Sequence, residues 1–237
     1  MEKSLIDPSL EYALRTVEEN IADACVRAGR SVNDVQLLAV TKMVDVHRIN
    51  QVIKLGVRQI GENRVQEFLG KKDALRLDGV QAHLIGHLQT NKVRQIVGRV
   101  DMIQSVDSLR LAESISRVSV ERGIVTPILV EVNIGGEEAK SGVDPNRLEE
   151  LLEQIHDFKG IHVHGLMTVP PILTKESDKR AIFSKMYQLF IDNRAKKLDN
   201  IDMLELSMGM SGDYVEAILE GSTIVRVGSA IFGARQY

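Results

Sequence analysis

The chain has 237 residues, 43% of them hydrophobic and 27% charged, a composition typical of globular proteins that excludes disordered and fibrous classes. A net charge of −3, an aromatic content of 4% and the absence of tryptophan argue against nucleic-acid binding through a basic face and stacking platforms. No apolar run is long enough to span a bilayer, and residues 1–8 lack a signal-peptide apolar segment. We therefore expect a cytoplasmic protein that binds neither nucleic acid nor membrane.

The first predicted element is a helix that begins at 7–9 (Asp-Pro-Ser), with Ser9 as the capping residue, and continues to Gly29. Its apolar residues recur at helical spacing: Leu10, Leu14, Val17, Ile21 and Ala24. Cys25 shares this pattern and is predicted to be a small core residue. As the single cysteine it cannot form an intrachain disulfide, which fits a reducing compartment.

Eight short apolar runs follow and alternate with amphipathic segments of helical length. The predicted strands cover residues 35–41, 58–61, 82–85, 102–105, 127–133, 162–167, 203–206 and 223–227. The predicted helices cover residues 46–55, 65–75, 92–97, 108–123, 146–158, 177–198 and 213–220. This alternation, without a linker, predicts one (β/α)8 TIM barrel domain over 1–237 with an extra N-terminal helix. An open doubly wound sheet is the alternative, but it needs only six strands, and no Gly-x-Gly-x-x-Gly follows the first strand.

The carboxyl ends of barrel strands form the working face, and the loops after strands seven and eight often bind phosphate. Here these loops are 206–213 (Leu-Ser-Met-Gly-Met-Ser-Gly-Asp) and 227–230 (Val-Gly-Ser-Ala). Small residues let backbone N–H groups approach an anion at a helix start. Each loop alone is typical of an ordinary helix cap. Their joint position after strands seven and eight predicts a phosphate site.

Two basic residues complete a pocket in this interpretation. Lys42 ends the first strand, and Arg226 lies within the last strand, where its charge either faces the barrel mouth or pairs with a carboxylate. Closure of the barrel makes these strands neighbours, and the guanidinium together with desolvation favours the neutral amine that imine formation requires. A lysine, a phosphate site and an arginine indicate a pocket for pyridoxal 5′-phosphate, with Lys42 at the aldehyde and Arg226 at the ring nitrogen.

Several motifs resemble the pyridoxal phosphate homeostasis protein family, and the resemblance covers nearly the whole chain. The motifs are 38–42 (Leu-Ala-Val-Thr-Lys), 61–67 (Gly-Glu-Asn-Arg-Val-Gln-Glu), 83–92 (His-Leu-Ile-Gly-His-Leu-Gln-Thr-Asn-Lys), 165–168 (Gly-Leu-Met-Thr), 206–213 and 225–233 (Val-Arg-Val-Gly-Ser-Ala-Ile-Phe-Gly). The resemblance implies a barrel similar to the N-terminal domain of alanine racemase. It also implies a set of cofactor contacts: a Schiff base on Lys42, phosphate contacts from Ser211, Gly228 and Ser229, Arg226 at the pyridine nitrogen, and Asn63 beside the ring.

The resemblance further implies a protein that buffers or delivers pyridoxal 5′-phosphate and has no established catalysis. Alanine racemase takes a second acid/base from a tyrosine of a β domain that we do not expect here. An arginine at the ring nitrogen would also leave that nitrogen unprotonated and make the ring a poorer electron sink. A pyridoxal phosphate-dependent amino-acid racemase or related enzyme is the alternative. We expect a monomer that contacts cofactor-requiring apoenzymes transiently.

The histidines offer a different interpretation, a metal-dependent barrel hydrolase. His83 and His87 are four residues apart, and His162 and His164 share one face of strand six. Because the first pair brackets a strand end and no third ligand is evident, we expect satisfied polar side chains near the barrel mouth and no metal.

Other lysines are given ordinary roles. Lys140, in the loop after strand five, is expected to be either a solvated loop charge or a transient second attachment point for the cofactor. The pairs 71–72 and 196–197 (Lys-Lys) fall in helical patterns and are expected on solvated helix faces.

Overall fold

A computed structural model of the chain describes residues 6–137 and 140–234. Its centre is a closed barrel of eight parallel strands in sequence order. The strands are β1 (Gln36–Val40), β2 (Gln59–Glu62), β3 (Gln81–Leu84), β4 (Met102–Val106), β5 (Thr126–Glu131), β6 (Ile161–Met167), β7 (Ile201–Met210) and β8 (Ile224–Val227). The helices are α1 (Pro8–Arg27), α2 (Val46–Leu55), α3 (Val65–Lys71), α4 (Val93–Ile96), α5 (Leu109–Glu121), α6 (Leu148–Ile155), α7 (Glu176–Arg194), α8 (Tyr214–Leu219) and α9 (Ser229–Phe232). The predicted barrel with an N-terminal helix is confirmed.

Burial on both faces explains why the strands read as continuous apolar runs. The strands β2, β4 and β8 are buried throughout, as expected when helices cover a parallel sheet from outside. Most of the core lies between strands and helices, and a smaller cluster of Met102, Leu129 and Met167 stands apart from it. Leu129 shares a face of β5 with Glu131, which places an acidic group next to this small cluster.

The first helix is capped two residues earlier than expected. Asp7, rather than Ser9, is the N-cap, and its carboxylate accepts the Ser9 N–H at 2.9 Å. Pro8 then occupies the first helical position, where its missing N–H costs nothing. The helix α1 packs on α8 and α9 and buries Cys25, so the prediction of a core cysteine is confirmed. No helix of the described ranges has the length and apolar character needed to cross a membrane.

The main correction concerns β7, which continues to Met210 instead of ending at residue 206. Residues 207–210 were predicted as loop, but Ser207 lies opposite Ile224 of β8 and, after a register shift, Met210 lies opposite Arg226. Gly209 has a φ of +93°, and a Cβ there would lie 2.6 Å from the Cβ of Ala217. Only glycine fits this irregular stretch, and its turn-like composition hid the strand.

Several predicted helices are shorter in the structure. Three of them are α-helices extended by single 3-10 turns: Lys72–Ala74 after α3, Thr90–Lys92 before α4 and Pro145–Arg147 before α6. The helix α7 ends at Arg194, before the predicted end at residue 198. The predicted domain bounds of 1–237 include residues outside the described ranges, so the single-domain assignment stays a prediction.

Candidate functional site

A cavity of about 690 Å³ opens at the carboxyl ends of the strands. All six residues that the sequence analysis assigned to the cofactor line this cavity: Lys42, Asn63, Ser211, Arg226, Gly228 and Ser229. The structure thus brings together segments that follow β1, β2, β7 and β8. Arg48, Ile85, Val169 and Phe232 also line the cavity. Ile85 and Phe232 lie within the quoted motifs but were given no role, and Arg48 and Val169 lie outside the motifs.

Lys42 lies in a tight turn, Thr41–Val44, which we call the lysine turn. The Val44 N–H donates to the Thr41 carbonyl at 3.0 Å. Met43 has a φ of +60°, a left-handed conformation that is unfavourable for a side chain of this size. Such a conformation persists when surrounding contacts hold it, so the neighbours of the turn are informative.

Lys71 of α3 holds the first half of the lysine turn. Its Nζ donates to the Thr41 carbonyl at 2.9 Å and to Glu62 Oε1 at 2.9 Å. The Thr41 hydroxyl also donates to Glu62 Oε1, at 2.8 Å. The Glu62 side chain is 1% exposed, and burial raises its pKa while the Lys71 contact opposes that rise. The expectation that Lys71 lies on a solvated helix face is wrong, because its side chain is 15% exposed and lies beneath the turn.

Glu67, on the same helix, holds the second half of the lysine turn. Its carboxylate accepts the backbone N–H of Met43 and pairs with Lys71 Nζ at 2.6 Å. Both peptide groups that flank Lys42 are therefore tied to α3. The motif 61–67 contains both glutamates, but only their position in the structure shows that they fix the lysine turn rather than line the cavity.

Arg226 is 3% exposed and forms part of the cavity wall. Its two terminal nitrogens donate to Ser207 Oγ and to the Thr168 carbonyl, each at 2.7 Å. Both acceptors are neutral oxygens. The alternative in which Arg226 forms a salt bridge with a carboxylate is therefore wrong for the described residues. Burial lowers its pKa to about 10, and the Glu131 and Asp213 carboxylates oppose that effect. Arg226 remains a cation at neutral pH.

Three further side chains extend the Arg226 contact across the barrel interior. Ser207 Oγ donates to Gln104 Oε1 at 2.7 Å, and Gln104 Nε2 lies 2.8 Å from His83 Nδ1. A guanidinium can only donate, so the serine proton must go to Gln104, whose amide then donates to His83. Burial lowers the pKa of His83 to about 4, which agrees with an accepting, neutral ring. His83 is a satisfied polar residue as expected, but it lies inside the barrel.

The barrel closure sets Arg226 below Lys42. In the parallel pairing of β1 with β8, Arg226 lies opposite Leu38, four residues before Lys42. The two basic residues belong to adjacent strands and the segments that follow them, as predicted, and line the same cavity at different depths. That Arg226 favours the neutral amine of Lys42 stays a prediction.

Glu131 is a buried acid that the sequence analysis missed. It is the last residue of β5, and it lies inside the predicted strand 127–133, where no role was given to it. Its Oε2 has no hydrogen-bond partner among the described residues. Burial and the Asp107 charge raise its pKa to about 7, although Arg226 opposes the rise. The group is therefore partly protonated at neutral pH.

The loops after β7 and β8 meet at the other end of the cavity. Ser211 Oγ accepts the backbone N–H groups of Gly228 and Ala230 at 3.1 and 3.3 Å. Lys179 of α7 donates to the Gly212 carbonyl at 2.8 Å and so holds the first loop from outside. The arrangement gathers small residues, a hydroxyl and backbone donors, which is the chemistry expected for an anion site.

The remaining predicted groups lie elsewhere. Lys140 donates to the Pro170 carbonyl at 3.2 Å and pairs with Glu137, and it does not line the cavity. Its loop includes residues 138–139, which are outside the described ranges, and a second attachment point there stays a prediction. His162 bonds to Asp202 at 2.9 Å. Within the described parts of the chain, no cluster of three or more potential ligands could hold a metal ion.

Comparison with known families defines the class of this barrel. A model of the alanine racemase N-terminal domain family matches residues 13–236. A relative from Aquifex aeolicus named pyridoxal phosphate homeostasis protein is 44% identical over 224 residues, which cover 94% of this chain and 97% of the relative. The chain therefore belongs to the pyridoxal phosphate homeostasis protein family, within the larger group of alanine racemase N-terminal domain barrels.

Solved structures agree with this assignment. A protein from Bifidobacterium adolescentis matches with a TM-score of 0.91 and 41% identity, over 96% of this chain and 98% of that chain. The structure of PipY from Synechococcus elongatus, with pyridoxal phosphate bound, matches with a TM-score of 0.80 and 33% identity, over 92% and 100% of the two chains.

Proposed function

We propose that this chain binds pyridoxal 5′-phosphate in the cavity, holds it through a Schiff base on Lys42, and serves intracellular homeostasis of the cofactor by buffering or delivery. The observation that carries the proposal is that all six assigned residues line one cavity. The names of the relatives and the cofactor bound to PipY support it. We further propose a cytoplasmic monomer that meets apoenzymes transiently.

The residues of the cavity fit such a ligand. A volume of about 690 Å³ is typical of small-molecule sites. The buried Oδ1 of Asn63 has no partner among the described residues, so the amide is available to a ligand beside it. When bound, the cofactor supplies a reactive aldehyde and an electron-withdrawing ring. The Lys42 amine would form a carbon–nitrogen bond with that aldehyde, with loss of one water molecule.

Arg226 favours a holding role over turnover. Its guanidinium donates to two fixed oxygens and is buried, so it stays a donor at neutral pH. A ring nitrogen facing Arg226 can accept a hydrogen bond. It receives no proton, because the guanidinium has a pKa of about 10 and keeps its proton at neutral pH. The electron demand of the ring, which catalysis on amino acids requires, is then weakened.

The attachment point is tested by borohydride reduction of the protein loaded with cofactor, followed by peptide mass mapping. We expect the reduced cofactor on the peptide that contains Lys42, and loss of the visible absorbance band in Lys42→Ala. The matched control is Lys140→Ala, which removes a lysine outside the cavity and should keep the band. Cofactor attached only to peptides without Lys42 would contradict the proposal.

Delivery and turnover are tested separately. The loaded protein is mixed with an apoenzyme that requires pyridoxal 5′-phosphate, and we expect the apoenzyme to regain activity, in amounts matching the cofactor released. The same preparation is assayed for racemisation and deamination of amino acids. Turnover that disappears in Lys42→Ala would establish the enzyme alternative instead.

A further inference from the structure

Arg48 is a cation of the cavity that the functional assignment leaves without a role. It lies in the first turn of α2, where its backbone N–H donates to Asp45 Oδ1 at 3.0 Å and fixes the start of the helix. Its guanidinium carbon lies 5.8 Å from the centroid of the Phe232 ring, a distance typical of a cation–π contact. Both side chains line the cavity. The contact therefore places the Arg48 charge against α9.

The helix α9 connects Arg48 to the loop assigned to the phosphate. Phe232 closes the single turn of α9, and its N–H donates to the Gly228 carbonyl at 2.9 Å. Gly228 and Ser229 line the same cavity one turn away from the Phe232 ring. The guanidinium of Arg48 and the backbone donors of the loop are thus two parts of one cavity wall.

The negative charge of the proposed ligand would be stabilised by a cation at this place. A phosphate monoester carries about −1.5 to −2 charges at pH 7. The groups assigned to it, Ser211, Gly228 and Ser229, are neutral donors. Lys42 is assigned to the aldehyde and Arg226 to the ring nitrogen, deeper in the barrel. Arg48 is the remaining cationic side chain among the described residues that line the cavity.

A competing partner for Arg48 is Asp7. The pKa of Asp7 is lowered mainly by hydrogen bonds from Ser9, and the Arg48 charge adds to that effect. Asp7 already accepts both the N–H and the hydroxyl of Ser9. Both side chains are half-buried, where solvent still weakens an ion pair, so Asp7 does not compete with a doubly charged phosphate for Arg48.

We propose that Arg48 binds the phosphate group of the ligand and makes the cavity selective for pyridoxal 5′-phosphate over unphosphorylated pyridoxal. The inference rests on the proposed function and adds a residue that selects among forms of the same cofactor. An arginine suits this task because its planar donors match phosphate oxygens.

The test measures the dissociation constants of pyridoxal 5′-phosphate and of pyridoxal on one preparation of each variant. In Arg48→Gln we expect a loss of affinity for the phosphorylated form of about 10- to 100-fold, since a hydrogen bond to a charged group is lost. Affinity for pyridoxal should change by less than about twofold, because it lacks the phosphate. Arg48→Lys should retain part of the selectivity, since it keeps the charge without the paired donors.

The control is Lys54→Gln, which removes one positive charge from the exposed end of the same helix and should leave both constants unchanged. The ratio of the two constants is taken within each variant, so partial misfolding cancels. An unchanged ratio in Arg48→Gln would overturn this inference alone. A parent protein that fails to bind pyridoxal 5′-phosphate would instead overturn the proposed function.

Discussion

Replacing Lys71 with methionine should loosen the lysine turn and destabilise the protein in a pH-dependent way. Methionine keeps the length of the side chain and a good helix propensity in α3. The replacement removes three donated bonds, to the Thr41 carbonyl, to Glu62 and to Glu67. The Glu62 side chain is 1% exposed, and its carboxylate then keeps only the hydrogen bond from the Thr41 hydroxyl among those described here. The variant therefore contains a buried carboxylate without its cation.

The expected cost follows from the burial of each partner. Removing one member of a buried ion pair costs about 3–5 kcal/mol. Lys71 and Glu67 retain partial exposure of 15% and 21%, which screens their interaction. We therefore expect the lower end, about 3 kcal/mol, or a fall in Tm of roughly 6–12 °C for a chain of this size.

The pH dependence has a definite sign. Burial already raises the pKa of Glu62 in the folded state above its value in the unfolded chain, and loss of Lys71 raises it further. Protonation therefore stabilises the folded variant, and this contribution is lost as the pH rises through the folded pKa. The deficit of Lys71→Met relative to the parent protein should be larger at pH 8 than at pH 5.

Urea unfolding at pH 5 and pH 8 measures these differences. Adding Glu62→Gln to Lys71→Met should restore part of the stability and remove the extra pH dependence, because the amide carries no charge. Lys72→Met, at the neighbouring lysine, is the control and should cost less than about 0.5 kcal/mol. A deficit equal at both pH values, or no deficit at pH 8, would refute the reasoning.

Three other outcomes test separate parts of the structure. Because the pKa of Glu131 is raised to about 7, the free energy of unfolding of the parent protein should fall by at most roughly 3 kcal/mol as the pH rises from about 5 to 8. Urea titrations of Glu131→Gln should not show this fall. Gly165→Ala should cost about 3 kcal/mol or more in unfolding free energy, because its Cβ would lie 1.8 Å from the Glu205 carbonyl oxygen at a φ of +152°. Ser211→Ala should weaken binding of pyridoxal 5′-phosphate about tenfold in a spectroscopic titration, and it should also lower Tm, because the Gly228 and Ala230 N–H groups lose their acceptor.

The barrel was predictable because its strands are buried on both faces. Such strands appear as uninterrupted apolar runs, and the helices between them show a different period, so the alternation can be counted from residues alone. The strand β7 shows where this signal fails. Residues 207–210 contain serine and glycine because one side chain bonds to Arg226 inside the barrel and another position has no room for a Cβ. Local composition cannot separate that situation from a loop.

The meeting of Lys42, Arg226 and the loops after strands seven and eight was predictable for a geometric reason, whereas Asn63 was assigned from the family resemblance and the supporting contacts were not predicted. Strand ends of a closed parallel barrel meet on one face, so residues that follow different strands must approach each other. Lys71 and Arg48 lie on helices. The hydrophobic periodicity of a helix predicts which of its faces is buried, but not which loop packs against a given side chain. Glu131 lay inside the predicted strand 127–133, and its burial is a tertiary property that the local pattern does not show.

Under the proposed function, the groups fixed by hydrogen bonds and the titratable Glu131 have different roles. The lysine turn is fixed by Lys71 and Glu67, and Arg226 is fixed by a hydrogen-bond chain whose direction leaves no site to accept a proton. Each fixed group presents a donor or an amine to the ligand. Glu131 is the group with a pKa near neutrality beside Arg226, and it acts on that cation through charge. Under the proposed function, the fixed donors therefore hold and orient an anionic ligand rather than move protons on it.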